Sequence, residues 1–354
     1  MGILSRLFGK KDKEVIPQNI DIFEKAEKVV LHRDEDETFE VETTVEIPPL
    51  QGDYAKTIFL WAHSKADTVK KNDGYARYFL YECGIRDAEK YHLDMIEAGY
   101  FSEANEIEIL EAMKVADLKK ILSELSMPVS GKKEVLIQRI LHSSKKPLDR
   151  MYFPETMYSL TEKGKNYLRQ HEDYVKIHKH NTWDIGWQEY DKRHCPGQSF
   201  YDTVWGIFNE RLLSDTHHYG RHEYFCMYQL LAEEGKRKKA MEMLLRILYI
   251  DLSGVNGETT FELFKKGLST FEDLEDHFHV AVMLAPGIVY PVAEYADVFD
   301  RSIVDKLYEW KLPVQICDKN FFLDIINSLF DGTYDEQDVE EKLKARYDAF
   351  IQAL

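Results

Sequence analysis

The sequence predicts a mainly α-helical protein with two or three domains. The chain has 354 residues, which is enough for more than one packed core. Apolar residues recur at the helical spacing of three and four in residues 118–125, 224–251 and 335–354. Apolar and acidic residues alternate, as is typical of a half-buried strand, at residues 39–47. Helical patterns therefore outnumber strand patterns.

Residues 1–50 are predicted to form an N-terminal arm. It contains an acidic run at residues 34–37 and the strand at residues 39–47, which Pro48 and Pro49 end. The arm shows no signal-peptide pattern, and no apolar run in the chain approaches the roughly 18 residues of a membrane span. We expect no membrane partner.

The cysteines indicate a reducing compartment. None forms a CxxC pair, so neither a disulfide framework nor a zinc ribbon is predicted, and a cytoplasmic location is expected. The four positions are Cys83, Cys195, Cys226 and Cys317.

The charge is strongly negative overall, but one segment is basic. The formal net charge of −17 argues against general affinity for nucleic acid, because phosphates would be repelled. Residues 114–150 nevertheless carry nine basic and four acidic side chains, an excess of five positive charges that leaves −22 on the remainder. The positive charge is therefore a local feature.

Residues 51–170 are predicted to form a small domain around this basic segment. Asp87 is a good N-cap for a helix that reaches about Ala98, after a glycine-containing turn. Residues 98–101 and 158–165 resemble the two sides of the wing in winged-helix domains. In such domains the hairpin is short, whereas 56 residues lie between Phe101 and Tyr158 here. A generic helical domain with a short hairpin is the alternative.

Two short amphipathic helices are predicted inside that gap. Leu118, Ile121, Leu122 and Leu125 form the apolar stripe of the first helix. Pro128 prevents its continuation. Ser130 is a good N-cap for the second helix, whose predicted buried face consists of Val135, Leu136 and Ile140.

The start of the second helix predicts a phosphate site. Lys132 and Lys133 are placed in its first turn, where the helix dipole disfavours each cation by about 0.3–1 kcal/mol. Free first-turn amides and the Ser130 hydroxyl are expected to converge there, and a phosphate would satisfy all of these groups. The alternative is a solvated lysine pair.

Residues 113–147 resemble a SAP domain, a two-helix DNA-binding module. Leu118, Leu122, Leu136 and Ile140 match its core, Gly131 its turn glycine, and Lys132, Lys133 and Arg139 its basic positions. Ser126-Met127 stands where the family usually has Gly-Leu, and Lys114 replaces the usual small hydroxyl residue. The flanking motifs are similar to those of uncharacterised bacterial and phage SAP proteins. The residues that the resemblance implies for contact with nucleic acid, DNA favoured, are Lys119, Ser130, Gly131, Lys132, Lys133 and Arg139.

Residues 171–354 are predicted to form an all-helical domain. The spacing of Gly235, Ala240 and Leu244 resembles a tetratricopeptide helical hairpin, although Ile247 is large where that family prefers Ala. Only one copy is legible. A protein partner could bind through residues 200–260, and a final amphipathic helix is predicted from Asp335.

No catalytic motif and no cofactor site is legible, so we expect no enzyme. His217, His218, His222 and Cys226 are the best metal candidates, with His194 or Cys195 as a further ligand. Positions eight residues apart on a helix are about 12 Å apart, too far to share one ion, so packed histidines are the preferred interpretation and no metal is expected. The predicted function is nucleic-acid binding; the alternative is a protein-interaction scaffold in which the SAP module and the helical hairpin both pack on protein.

Overall fold

The computed structural model describes residues 27–33, 37–43, 46–143, 155–214 and 219–354. The chain divides into two compact units, Met1–Val175 and Lys176–Leu354. The described chain is mainly helical, which confirms the predicted fold class. The domain boundaries predicted at residues 50 and 170 stay predictions.

The described part of the N-terminal arm contains a β-hairpin where one strand was predicted. Strands β1 (Glu27–Arg33) and β2 (Glu37–Thr43) pair antiparallel, with Val30 opposite Glu40. The predicted strand therefore ends at Thr43 rather than near residue 47. The alternation of apolar and acidic residues thus predicted β2, whereas the sequence of its partner β1 has no equally regular alternation.

The rest of the N-terminal unit consists of short helices and a three-stranded sheet. Its elements are α1 (Gly52–Ala62), β3 (Asp67–Thr68), α2 (Tyr78–Tyr81), α3 (Ala88–Glu97), β4 (Phe101–Glu103), α4 (Glu106–Ala112), α5 (Val115–Glu124), α6 (Lys133–Leu141), β5 (Met157–Leu160) and α7 (Glu162–Gln170). Helix α8 (Glu172–Lys179) lies across the division between the units. Asp87 caps α3 as predicted, because its side chain accepts a hydrogen bond from the Lys90 amide.

The sheet explains where the basic segment sits. Its strand order is β3-β5-β4, all antiparallel, with Phe101 opposite Leu160 and Glu103 opposite Tyr158. The two sides of the predicted hairpin therefore do pair, and helices α4–α6 belong to the connection between them. The winged-helix assignment itself stays a prediction.

Two histidines lie in the aromatic core of this unit. His63 and His92 are 5% and 1% exposed, and their ring centroids are 4.9 Å apart. His63 Nδ1 is 2.9 Å from the Phe59 carbonyl oxygen, and His92 Nδ1 is 2.9 Å from the Tyr75 hydroxyl. The buried Nε2 of His92 has no hydrogen-bond partner among the described residues. Both rings are therefore held in an environment that favours neutral imidazole.

In the described residues of the C-terminal unit, the regular elements are helices joined by turns and loops. Its elements are α9 (Trp187–Arg193), α10 (Phe200–Ser214), α11 (Arg221–Glu233), α12 (Arg237–Ser253), α13 (Glu258–Lys265), α14 (Phe271–Asp276), α15 (Phe278–Ala281), α16 (Pro286–Val289), a 3₁₀ segment (Tyr290–Val298), α17 (Arg301–Glu309), α18 (Lys319–Asp331) and α19 (Glu336–Ile351). Asp335 caps α19, and Val339, Leu343, Tyr347 and Ile351 are buried, as the helical pattern predicted.

Helix α12 is the centre of this unit. It is joined to α11 by a turn in which Gly235 has a φ of 70°, a conformation that glycine adopts without steric cost. Most of α12 from Ala240 to Ser253 is buried. The long exposed apolar groove that the scaffold alternative requires on residues 200–260 is not found among the described residues, where Leu213 is the one large exposed apolar side chain. The tetratricopeptide assignment stays a prediction.

One segment corrects the expectation that no apolar run approaches a membrane span. Phe278–Val298 has the length and the mean hydropathy of a span. In the structure it is divided into α15, α16 and the 3₁₀ segment, and apolar side chains such as Ile288 and Val292 lie in the core of the C-terminal unit. Apolar core helices of folded domains have the same composition. The absence of a membrane partner stays a prediction.

Gly164 is required because α7 packs closely against the chain at Tyr100, just before β4, and at Leu160 in β5. A Cβ at this position would lie 2.5 Å from the Tyr100 carbonyl oxygen and 2.8 Å from Leu160 Cδ2. Because a backbone atom must move, Gly164→Ala is expected to lower the free energy of unfolding of the N-terminal unit by about 2 kcal/mol. Gly206→Ala in α10, where nothing lies within 4 Å, is expected to be neutral or to stabilise by up to about 1 kcal/mol. Denaturant titration of both variants checks this; equal effects would contradict it.

Candidate nucleic-acid interface

Helices α4, α5 and α6 share one small core. Leu110, Leu118, Leu122 and Leu136 are fully buried in it, together with Ile121, Ile137 and Ile140. The core explains why a segment this short has a defined structure. Leu110 of α4, which precedes the predicted start of the module at residue 113, also packs in this core.

The missed helix α4 carries a sequence signal. Asn105 and Glu108 form a capping box, in which each side chain accepts a hydrogen bond from the other residue's amide. Glu108 Oε2 also accepts a hydrogen bond from Ser159 Oγ of β5 at 2.8 Å. The Ala104 amide donates to the Met157 carbonyl at 2.9 Å. The module is thereby fixed to the sheet and does not hang on a free linker.

The end of α5 explains the Ser126-Met127 departure from the family pattern. The Met127 amide bonds the Leu122 carbonyl and the Ser126 amide bonds the Ser123 carbonyl, which together form a Schellman motif. Ser126 has a φ of 56°, in the left-handed region that favours glycine. Serine therefore closes the helix at the position where the family usually has Gly, at a conformational cost.

Ser126→Gly is expected to stabilise the module by about 0.5–1 kcal/mol, because glycine adopts the left-handed region without strain. Ser123→Gly, inside the same helix, is the control and is expected to destabilise by up to about 1 kcal/mol. Hydrogen exchange of the α5 and α6 amides measures both changes. Destabilisation by Ser126→Gly would contradict the strain argument.

The predicted cap of α6 is wrong. Ser130 is not the N-cap; Lys132 is, and its side chain makes no capping hydrogen bond. Gly131, with a φ of 132°, lies between Ser130 and Lys132, so Ser130 stands two residues before the N-cap position. Val135 was predicted to be buried but is 47% exposed, because it lies on the first turn of α6 beside Gly131, and Ile137 is buried in its place.

Two of the predicted phosphate-binding cations bind the protein itself. Lys133 Nζ donates a 2.6 Å hydrogen bond to the Glu111 carbonyl, near the end of α4, where a cation is favoured by the helix dipole. Arg139 Nη1 donates to the carbonyls of Pro128 and Ser130, the latter at 3.0 Å. Both side chains therefore hold the module together.

The other cations are available to a ligand. Lys119 and Lys132 are exposed and have no hydrogen-bond or ion-pair partner among the described residues. The same holds for Lys114 and Lys120, which the predicted site omitted. Lys114 and Lys132 are the N-caps of α5 and α6, and neither helix start is capped by a side chain. First-turn amides and free ammonium groups therefore coincide at both helix starts, as phosphate binding requires.

Another basic run, residues 236–239, has a different environment. Lys236 pairs with Glu234, Arg237 with Asp297 and Lys238 with Asp300. These carboxylates neutralise most of the run. From the number of basic residues alone, this run would look as able to bind phosphate as the module, but its ion pairs distinguish the two.

Only part of the candidate metal site lies in the described residues. His217 and His218 lie outside the described residues. His222 Nε2 is 3.5 Å from Cys226 Sγ, and burial raises the pKa of that thiol to about 12. Among the residues that the structure describes, no group of three or more His, Cys, Asp or Glu side chains is placed to hold a metal ion.

Comparison with known families identifies the module. Residues 109–143 match the family model of the SAP domain, so the chain contains a SAP domain and the predicted resemblance is confirmed. The SAP domain is a DNA-binding module, which supports nucleic-acid binding in general. The match covers about a tenth of the chain. Searches of curated proteins and of solved structures found no significant match.

Proposed function

We propose that this protein is a non-enzymatic, cytoplasmic DNA-binding protein whose SAP domain contacts the phosphate backbone. The proposal is carried by three exposed lysines, Lys119, Lys120 and Lys132, which have no partner among the described residues and lie within the segment that matches the SAP family. Each can exchange bound water for a phosphate oxygen without breaking an internal ion pair. Lys133 and Arg139 stabilise the module through their hydrogen bonds to its backbone carbonyls.

The strongly negative remainder limits the strength of binding. With a net charge of −17, the protein as a whole is repelled by DNA, and the few lysines of the module attract it only at short range. Such a site gives weak, salt-sensitive and sequence-tolerant binding.

Chemical modification of lysine ε-amines tests the assignment. When duplex DNA is bound, Lys119, Lys120 and Lys132 are expected to be protected from acetylation in the full chain. Lys238 and Lys342, which pair with Asp300 and Asp338, are the internal controls and should be modified equally with and without DNA. If DNA changed the extent of acetylation at none of the five lysines, the proposed contact surface would be rejected.

A second proposal concerns the C-terminal unit. Leu213 at the end of α10 is 87% exposed, and it borders a depression of about 550 Å³ that includes Tyr224 and Trp310. Tyrosine and tryptophan beside a depression are residue types that often anchor protein partners. A partner captured by the full chain should survive nuclease treatment and be lost with Leu213→Glu. Capture that persists in this variant would count against the surface.

A further inference from the structure

The described part of the module exposes three valines to solvent: Val115, which is 40% exposed at the start of α5, and Val129 and Val135, which lie close to Lys132 in the sequence. Val129 and Val135 are 41% and 47% exposed. A Cβ added to Gly131 would lie 3.2 Å from Val135 Cγ1, so the Val135 methyl groups lie directly over the Gly131 backbone. Lys132 follows at the start of α6. Lys132 and Val135 therefore lie at the start of the same helix, and Val129 is three residues before Lys132 in the chain.

The position of Val129 is fixed from both sides. The Arg139 guanidinium bonds the carbonyls of Pro128 and Ser130, which are the residues before and after it. Ordering this segment before a ligand binds lowers the entropy cost of binding. For an exposed apolar side chain, such ordering has an effect only when a ligand packs on that side chain. The arrangement favours a ligand that offers a negative group and an apolar surface side by side.

We infer that Val129 and Val135 pack on the sugar edge of the strand held by Lys132 and select DNA over RNA. This inference rests on the proposed function. The sugar lies next to the phosphate, and deoxyribose carries a methylene group where ribose carries the 2′-hydroxyl. Valine methyl groups accept the methylene group, whereas a hydroxyl placed against them loses water without gaining a hydrogen bond. The two valines therefore determine specificity, and Lys132 provides attraction that does not distinguish the sugars.

The test compares DNA and RNA duplexes of the same sequence, about 20 base pairs long, at low salt. The wild-type chain is expected to bind DNA about tenfold more tightly, equivalent to ~1.4 kcal/mol. Val129→Thr with Val135→Thr keeps the side-chain shape and adds hydroxyl groups. We expect the preference to fall to about twofold or less, while the salt dependence stays unchanged.

Two controls separate the contributions. Lys132→Gln should weaken binding to both duplexes equally, and Val115→Thr, which adds a hydroxyl group to an exposed valine outside the proposed contact, should leave the preference unchanged. Equal affinities of the wild-type chain for DNA and RNA would overturn the inference and leave the proposed function intact. A preference that persists in the double threonine variant would also overturn it, because duplex shape would then be the cause. Binding to neither duplex would reject the proposed function itself.

Discussion

Charge reversal at Lys119 and Lys132 together is expected to lower the affinity for duplex DNA by about 100-fold at low salt. Both side chains are exposed and without partners among the described residues, so each is free to donate to a phosphate. A hydrogen bond between charged groups contributes about 1.5 kcal/mol or more, and the loss of two corresponds to this factor. Because neither lysine contributes to the core, the fold should be retained. Equilibrium binding of the full-length double variant measures the effect.

The matched control is charge reversal at Lys238 and Lys342. Both double variants change the formal net charge from −17 by the same four units, so long-range repulsion is equal in the two proteins. The control breaks only exposed ion pairs, which contribute little to stability. It should bind DNA with nearly wild-type affinity. A similar loss in both variants would show that total charge, and not the SAP surface, governs binding.

The sequence could predict the module but not the roles of its cations. Leu118 and Leu122 stand four residues apart, which places both on one face of a helix, and these two and Leu136 of the second helix were correctly predicted to be in the core. Lys132 and Lys133 look equivalent in the sequence. Only the fold shows that Lys133 donates a hydrogen bond to the Glu111 carbonyl, because that bond joins residues 22 positions apart, whereas Lys132 has no partner in the described part of the chain.

Acidification is expected to destabilise the N-terminal unit through its buried histidines. Burial, together with neighbouring His63, lowers the pKa of His92 to about 4, and burial also lowers the pKa of His63. Asp67 raises and Lys70 lowers the pKa of both rings, each less than burial does. In the unfolded chain these imidazoles take up protons below about pH 6.5, whereas in the folded unit His92 takes up a proton only near pH 4. Stability is complete above this window and falls as the pH is lowered through it.

For His92 alone the expected loss between pH 7.5 and pH 5 is about 2 kcal/mol. Hydrogen exchange of the α1 and α3 amides, corrected for the intrinsic effect of pH, measures it. His92→Gln cannot titrate but can still accept a hydrogen bond from the Tyr75 hydroxyl, so it should lose about 2 kcal/mol less than the wild type over the same interval. Identical pH profiles for the two proteins would exclude His92 as the cause.

Local signals predicted much of the fold, and long-range ones were missed. Asp87 and Asp335 mark helix starts because their side chains accept hydrogen bonds from amides within a few residues, and both lie where a helix was predicted to begin. Ser130 was misplaced because its capping depends on the left-handed turn at Gly131, which one sequence cannot fix. The burial of α12 depends on helices far away in the chain, so the sequence could not show how much of this helix lies in the core.

Salt titration of duplex-DNA binding by the full-length wild-type protein tests the central claim most directly. If Lys119, Lys120 and Lys132 each replace a counterion, the logarithm of the affinity should fall against the logarithm of salt concentration with a slope of about −2.7. This corresponds to a loss of about 40-fold between 50 and 200 mM salt. Absence of binding at the lowest salt, or binding that does not depend on salt, would contradict the account.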